Sequence, residues 1–339
     1  MATIADIACA AGVHKSTVSR VLSGVEPASR FNPRTRERIL RTAATLGYQH
    51  NPLAQALRGS RSHMLGIIVP TVTHPFRVTM IESIESVARQ RGYYVMVSET
   101  TLDANGAVQN SLLTVKGINA LVLVGESNLD SAQLRSVQRA KTIVSAAGGP
   151  ESADVPAFQI DYRRSITLAL EHLTDLGHRD IILICSPASV EGRERVATFR
   201  EFYMARGLTL PTDFIYAVPA ATNWSPAAIL DNGAALLHAL WARRSRPTAV
   251  IGGGSLRSAG LLRAAHVAGV RVPDELSIVA TADGPLVAYT TPALTAVDEH
   301  IGDIGRDAAT LVLDLLEGRA GAPPRVALPE LIVRESTAK

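Results

Sequence analysis

From Met64 onward, short apolar runs bounded by turn residues alternate with stretches whose apolar positions recur at the helical period. The order is LGIIVP, Ile81 to Gln90, YYVMV, Ala107 to Lys116, ALVLVG, Gln133 to Ala140 and TIVSA. After Asp161 the pattern starts again with a helix to Leu176, then DIILICS, Arg193 to Arg206, FIYAV, Ala227 to Ala242, TAVIGGG, Ser258 to Ala268 and LSIVATAD. Fully apolar strands alternating with amphipathic helices predict parallel sheets covered on both faces. The larger part of the chain therefore reads as two doubly wound α/β lobes.

The first sixty residues follow another pattern. Thr3 can cap a helix with Asp6 three residues on, and Ile4, Ile7, Ala8 and Ala11 share one face of it. Gly12 supplies the left-handed residue of a sharp turn, after which Val13, Val18, Val21 and Leu22 resume an apolar stripe. On the opposite face of this second helix Lys15, Ser16, Ser19 and Arg20 project together, and all four can donate hydrogen bonds. A third helix is signalled by Asn32 as cap, Pro33 in the first turn, Ile39, Leu40, Ala43 and Leu46 at helical spacing, and Gly47 as stop. Two short helices, a glycine turn and a donor-rich outer face predict a helix-turn-helix, whose second helix enters the DNA major groove. The expected fold class is a small all-α head on an α/β core of two parallel-sheet lobes.

The sequence T-I-x-D-I-A-x-x-A-G-V-x-x-x-T-V-S-R-V-L-x-G, followed by N-P-x-T-R-E-R-I and L-G-Y, resembles the DNA-binding headpiece of the lactose-repressor (LacI) family without a gap. In the core the resemblance continues through EHLTDLGHRDI, AGVRVPDELSIV, PALTAV and LPELIVRES. It implies a core of the periplasmic-binding-protein type, a homodimer on a palindromic operator, and allosteric repression by a small ligand in the cleft between lobes. The domains expected on this match are a headpiece over 1–47, a hinge helix over 48–60, a first lobe over 61–172 and 298–322, and a second over 173–297 and 323–339. The chain is expected to cross between lobes near Leu173, Asp298 and Pro323. The resemblance assigns DNA contact to Thr3, Lys15, Ser16, Thr17, Ser19, Arg20, Asn32 and Tyr48, and to Leu53, Ala54 and Leu57 of the hinge. There Asn51 and Pro52 open a helix of about two turns, marginal in water alone, and Leu57 matches the leucine that wedges between base pairs in the minor groove. Family hinges usually have proline where His50 stands and another residue at Pro52.

Charge sharpens the picture. The net charge of +3 is divided unevenly, because nine basic residues against three acidic ones give residues 1–62 a charge of +6 and leave −3 for the rest. A basic head on an acidic core suits local neutralisation of phosphate. With 47% hydrophobic residues and no apolar run of some eighteen positions, neither a membrane span nor an export signal is expected. The expected location is the cytoplasm, beside the nucleoid. Cys9 and Cys185 fit reduced, buried thiols.

Enzymatic readings are weaker. Gly252-Gly253-Gly254-Ser255 lacks the lysine of a phosphate loop and the G-x-G-x-x-G spacing, and is expected to form a tight strand-to-helix turn. His172 and His178 have no partners at metal-ligand spacing, and no G-x-S-x-G is present. No catalysis, metal or cofactor is expected. A solute-binding protein would explain residues 61–339 and a nucleotide-using enzyme the glycines, but the basic head fits neither.

For the ligand, the resemblance points to His74, Phe76, Arg77, Asp161, Arg195, Gly254 and Ala282. Asp161 and Arg195 keep the family's carboxylate and guanidinium. The A-N-D turn has become Gly253-Gly254-Ser255, and the sugar-holding aspartate of F-D-D has become Ala282. A site without that partner loses discrimination for hydroxyls. Neutral hexoses are expected to bind poorly. The effector is then an anionic or less hydroxylated metabolite held by Arg195, with or without Arg77, or there is none; Arg77 as a solvated helix residue is the competing reading.

Overall fold

The computed structural model describes residues 2–23, 31–48, 63–102, 108–115, 117–125, 129, 131–148, 155–218 and 225–339. It falls into two compact units, Met1–Ser62 and His63–Lys339. No helix among the described residues is long and apolar enough to cross a membrane.

The first unit is three helices, α1 (Ile4–Ala10), α2 (Lys15–Ser23) and α3 (Pro33–Thr45). The Thr3 hydroxyl accepts the Asp6 amide while the Asp6 carboxylate accepts the Thr3 amide, a reciprocal cap on α1. Gly12 takes φ +59° between α1 and α2, a conformation strained for any residue with a Cβ. Ile7, Ala8, Ala11, Val18, Val21, Ile39 and Ala43 make the core, with Phe31 and Tyr48 packed against it. Leu40 and Leu46 lie outside it, each about 40% exposed, because Leu40 is one residue off the buried Ile39 stripe and Leu46 is the C-cap of α3.

In the second unit the chain runs through β1 (Met64–Val69), α4 (Pro75–Gln90), β2 (Tyr94–Glu99), a small antiparallel pair β3 (Thr101–Leu102) and β4 (Val108–Gln109), β5 (Ala120–Val124), α5 (Ser131–Gln138), β6 (Thr142–Ala146) and β7 (Ala157–Ile160). It continues with α6 (Tyr162–Asp175), β8 (Ile181–Cys185), α7 (Val190–Ala205), β9 (Ile215–Ala217), α8 (Pro226–Asp231), α9 (Gly233–Trp241), β10 (Ala249–Gly252), α10 (Ser255–Val267), β11 (Ser277–Ala280), α11 (Pro285–Ala288) and β12 (Thr295–Asp298). Last come α12 (Ile301–Glu317), β13 (Val326–Ala327) and β14 (Glu330–Ile332).

Two six-stranded sheets result, in the orders β13-β7-β6-β5-β1-β2 and β14-β12-β11-β10-β8-β9. Each is parallel except where β14 runs against β12. The helix expected over Ala107 to Lys116 is replaced, among the described residues, by β4 and a single 3₁₀ turn at Ser111–Leu113. The one over Ala227 to Ala242 is split at Asn232, where α9 crosses α10 so closely that a Cβ on Gly233 would stand 2.1 Å from the Gly260 carbonyl oxygen. Cys185 is buried as expected, and Cys9 is exposed.

Sheet membership moves two of the expected lobe crossings. Ile166, Ala169, Leu170 and Leu173 of α6 pack into the second lobe with β8 and α7, so the chain crosses at Asp161–Tyr162, a full helix before Leu173. β13 still pairs with β7 of the first lobe while β14 pairs with β12 of the second, so the last crossing is at Leu328–Pro329, after Pro323. Between them the chain leaves β12 and enters α12, whose Ile304, Ala308 and Val312 join the first lobe's core.

Gly233→Ala tests the α9–α10 crossing. With backbone on both sides the helices must separate, so stability should fall by about 1–3 kcal/mol, as overpacking does. A urea midpoint equal to wild type would show that the crossing yields freely.

Candidate functional site

In the head, α2 turns Val18 and Val21 into the core and leaves Lys15, Ser16 and Arg20 exposed on its other side, with Thr17 and Ser19 half-buried. The carbonyl of His14 accepts the Thr17 and Val18 amides and so opens the helix. The imidazole Nδ1 of His14 lies 3.3 Å from the Ser16 amide nitrogen and 2.8 Å from its hydroxyl. An amide can only donate, so Nδ1 is the acceptor and the Ser16 hydroxyl donates to it as well. Ser16 thus offers oxygen lone pairs outward. The hydroxyl of Thr3 and the Oδ1 of Asn32, which accepts the Arg34 amide at 3.0 Å, are committed to capping. Tyr48 packs against the head's core. Arg34, Arg36 and Arg38 are exposed, as is Arg41, which pairs with Glu37 at 2.9 Å. Leu53, Ala54 and Leu57 lie outside the described residues.

In the core a cleft of about 320 Å³ opens where the two lobes meet, lined among others by Phe76, Thr79, Ser255, Ala282, Asp298 and Glu299. Of the seven residues expected there, Phe76 and Ala282 line it directly. Asp161 caps α6 by accepting the Arg164 amide at 2.8 Å. Gly254 has φ +95° and precedes α10, its amide donating to Thr281 Oγ1 at 2.9 Å. His74 precedes α4.

Arg195 is nearly closed to solvent, its side chain 5% exposed. One terminal nitrogen donates to Glu299 at 2.9 Å and the other to Glu191 at 3.1 Å, while the guanidinium lies 5.1 Å from the centre of the Tyr162 ring. Burial works against its charge, and the two carboxylates outweigh it and raise its pKa above the ordinary arginine value. Burial likewise pushes Glu299 up, to about 7, against the pull of Arg195. Arg195 and Ser165 both donate to the same oxygen of Glu299, which favours the ionised form, so we treat the two as an ion pair. Removing one member of such a pair costs about 3–5 kcal/mol. Sequence reasoning chose Arg195 and missed Glu299 and Glu191. The neighbour of Ala282, Asp283, is held at both oxygens by Arg334.

These two sites match known proteins. Residues 3–51 match the bacterial regulatory proteins of the lacI family, and residues 170–337 a periplasmic binding protein-like domain. An uncharacterized HTH-type transcriptional regulator in the aml 5′ region of Streptomyces limosus is 30% identical, over 99% of this chain and 94% of its own. The chain belongs to the LacI family. The HTH-type transcriptional regulator DegA of Bacillus subtilis is 28% identical over 99% of this chain and 98% of its own. The Lac repressor dimer bound to operator and the anti-inducer ONPF superposes with a TM-score of 0.76, covering all of this chain and 99% of that one, at 23% identity. The protein is thus a transcriptional regulator with a helix-turn-helix head, and its relatives are regulators, not enzymes.

Within this LacI-family core the other singled-out residues are structural. His178 bridges Thr248 and Ser277 at 2.8 and 3.1 Å, and His172 meets Thr337 at 2.9 Å; burial lowers the pKa of both. Gly253 faces the Ile184 carbonyl so closely that a Cβ would come within 2.7 Å. The glycines make the tight turn. No three potential metal ligands cluster among the described residues.

His74 has its pKa lowered to about 4, by burial first and then by the charges of Arg77 and Arg257. A histidine depressed in the folded state contributes stability that is complete above its unfolded pKa and is lost as pH falls toward 4. His74→Gln should therefore gain on wild type in melting temperature between pH 7.5 and pH 5. A difference that is the same at both would contradict this.

Proposed function

We propose that the chain is a ligand-responsive repressor that binds a palindromic operator as a homodimer, in the cytoplasm in contact with the nucleoid. The single observation that carries the DNA reading is the outer face of α2, where Lys15, Ser16 and Arg20 stand exposed beside a helix whose other side is core. Lys15 and Arg20 suit the paired acceptors of guanine, and Ser16, its hydroxyl proton engaged by His14, suits an amino group of adenine or cytosine. Thr3, Thr17, Ser19, Asn32 and Tyr48 would meet the backbone, which fixes register without reading sequence. Leu53, Ala54 and Leu57 of the hinge would enter the minor groove. The dimer fits the operator-bound Lac repressor, and the cleft between lobes suits a small effector.

Selecting bound duplexes from random DNA gives the operator, and two variants then test the reading. Arg20→Ala should lose about 1–3 kcal/mol of discrimination at one base position per half-site. Arg36→Ala should weaken operator and random DNA alike and reduce the salt slope by about 1. Equal losses of Arg20→Ala on both kinds of DNA would overturn the base-reading assignment.

A further inference from the structure

Three described helices follow a histidine, α2 after His14, α4 after His74 and α12 after His300. The rings of His74 and His300 make no capping hydrogen bond. The ring of His14 does: the Ser16 amide donates to its Nδ1 at 3.3 Å, while the His14 carbonyl accepts the Thr17 and Val18 amides at 2.9 and 3.3 Å. His14 therefore serves three amides at the start of α2. An imidazole nitrogen does here what side-chain oxygens of Thr3, Asn32, Asp161 and Ser189 do at α1, α3, α6 and α7.

Because an amide only donates, Nδ1 carries no proton, and the proton of the neutral ring is on Nε2. The Ser16 hydroxyl lies 2.8 Å from the same Nδ1, so it too is a donor. A serine hydroxyl in the major groove is ordinarily ambiguous. It gives a hydrogen bond to purine N7, guanine O6 or thymine O4 as readily as it takes one from adenine N6 or cytosine N4. It can equally give one to phosphate oxygen. With its proton committed to Nδ1, the exposed Ser16 oxygen can only accept, and the amino groups alone remain as its partners. Lys15 and Arg20, exposed on the same helix, only donate. The outer face of α2 thus holds two residues for base acceptors and one for base donors, and the one for donors depends on a residue just outside the helix.

We infer that His14 is a positioning residue for specificity: by holding the Ser16 proton it makes one position of the operator half-site select adenine or cytosine on the strand that Ser16 faces. This rests on the base reading by Ser16 proposed above.

The test uses the full-length protein and duplexes that carry each of the four bases in turn at every position of the selected half-site. Wild type should prefer adenine or cytosine to guanine or thymine at one position by about fivefold or more, as one directional hydrogen bond gives. Ser16→Ala and His14→Ala should each abolish that preference and leave the others intact, and the double variant should lose nothing further. His14→Asn, whose amide oxygen can accept from the same two donors, should retain it. A cap that served the fold alone would act otherwise, since a less stable head binds every duplex more weakly and alters no single base preference. The ring itself is read in wild type at pH 8 by nitrogen–proton spectroscopy of isotope-labelled histidine, with the His14 signal identified by its loss in His14→Asn; its proton should be on Nε2. A proton on Nδ1, a preference unchanged in His14→Ala, or one that His14→Asn also loses would overturn the inference. If Ser16→Ala changes no base position, base reading by Ser16 falls and the role of His14 with it. If Ser16→Ala relaxes a position that His14→Ala leaves sharp, base reading stands and the role of His14 alone is gone.

Discussion

Arg195 reaches from α7 into a site closed to solvent and there meets Glu299 and the face of Tyr162. Those two residues stand at two of the three places where the chain passes from one lobe to the other, and Ser165, the other donor to Glu299, lies one turn into α6. A buried ion pair adds little stability over an apolar filling, since desolvation offsets the attraction, but it tolerates almost no loss of geometry. Arg195 thus touches residues at two of the three crossings, so a displacement of one lobe against the other would strain a pair that tolerates little change of geometry.

The head was legible in the sequence because its signals are local. The Thr3–Asp6 cap, the Gly12 turn and the Asn32–Pro33 start each lie within a few residues of what they organise. The strands of the lobes were legible too, since a strand buried on both faces reads as an unbroken apolar run. What failed was non-local. Nothing in the helical pattern of Tyr162–Asp175 says that it has changed lobe at its first residue, because the apolar face is the same whichever sheet it covers. The break between α8 and α9 comes from Gly260 on another helix. The final helix α12 and the short β7, β13 and β14 return to sheets begun far earlier, and their pairing is set by the crossings.

The cleft was legible in part for the same reason. Phe76 and Ala282 could be placed because the resemblance to the family runs through the short turns that carry them, and both do line the cleft. Glu299 is 104 residues from Arg195, and no spacing connects them. With it unseen, Arg195 reads as a charge presented to the ligand, although its two terminal nitrogens are taken. The same holds for Asp283, whose guanidinium partner is 51 residues on.

These commitments bear on what the cleft recognises. Polyol binding needs acceptors and donors in pairs, since each buried hydroxyl must both give and receive a hydrogen bond or lose the energy of one. Here the turn after β11 offers a methyl at Ala282 and a carboxylate already doubly bonded to Arg334, and the turn after β10 offers glycine backbone. The remaining carboxylates of the lining, Asp298, Glu299 and Asp303, all stand on the segment that leaves β12 and opens α12. A hydroxylated ligand would have to find its acceptors there, because the two turns of the second lobe offer it a methyl, a doubly bonded carboxylate and backbone.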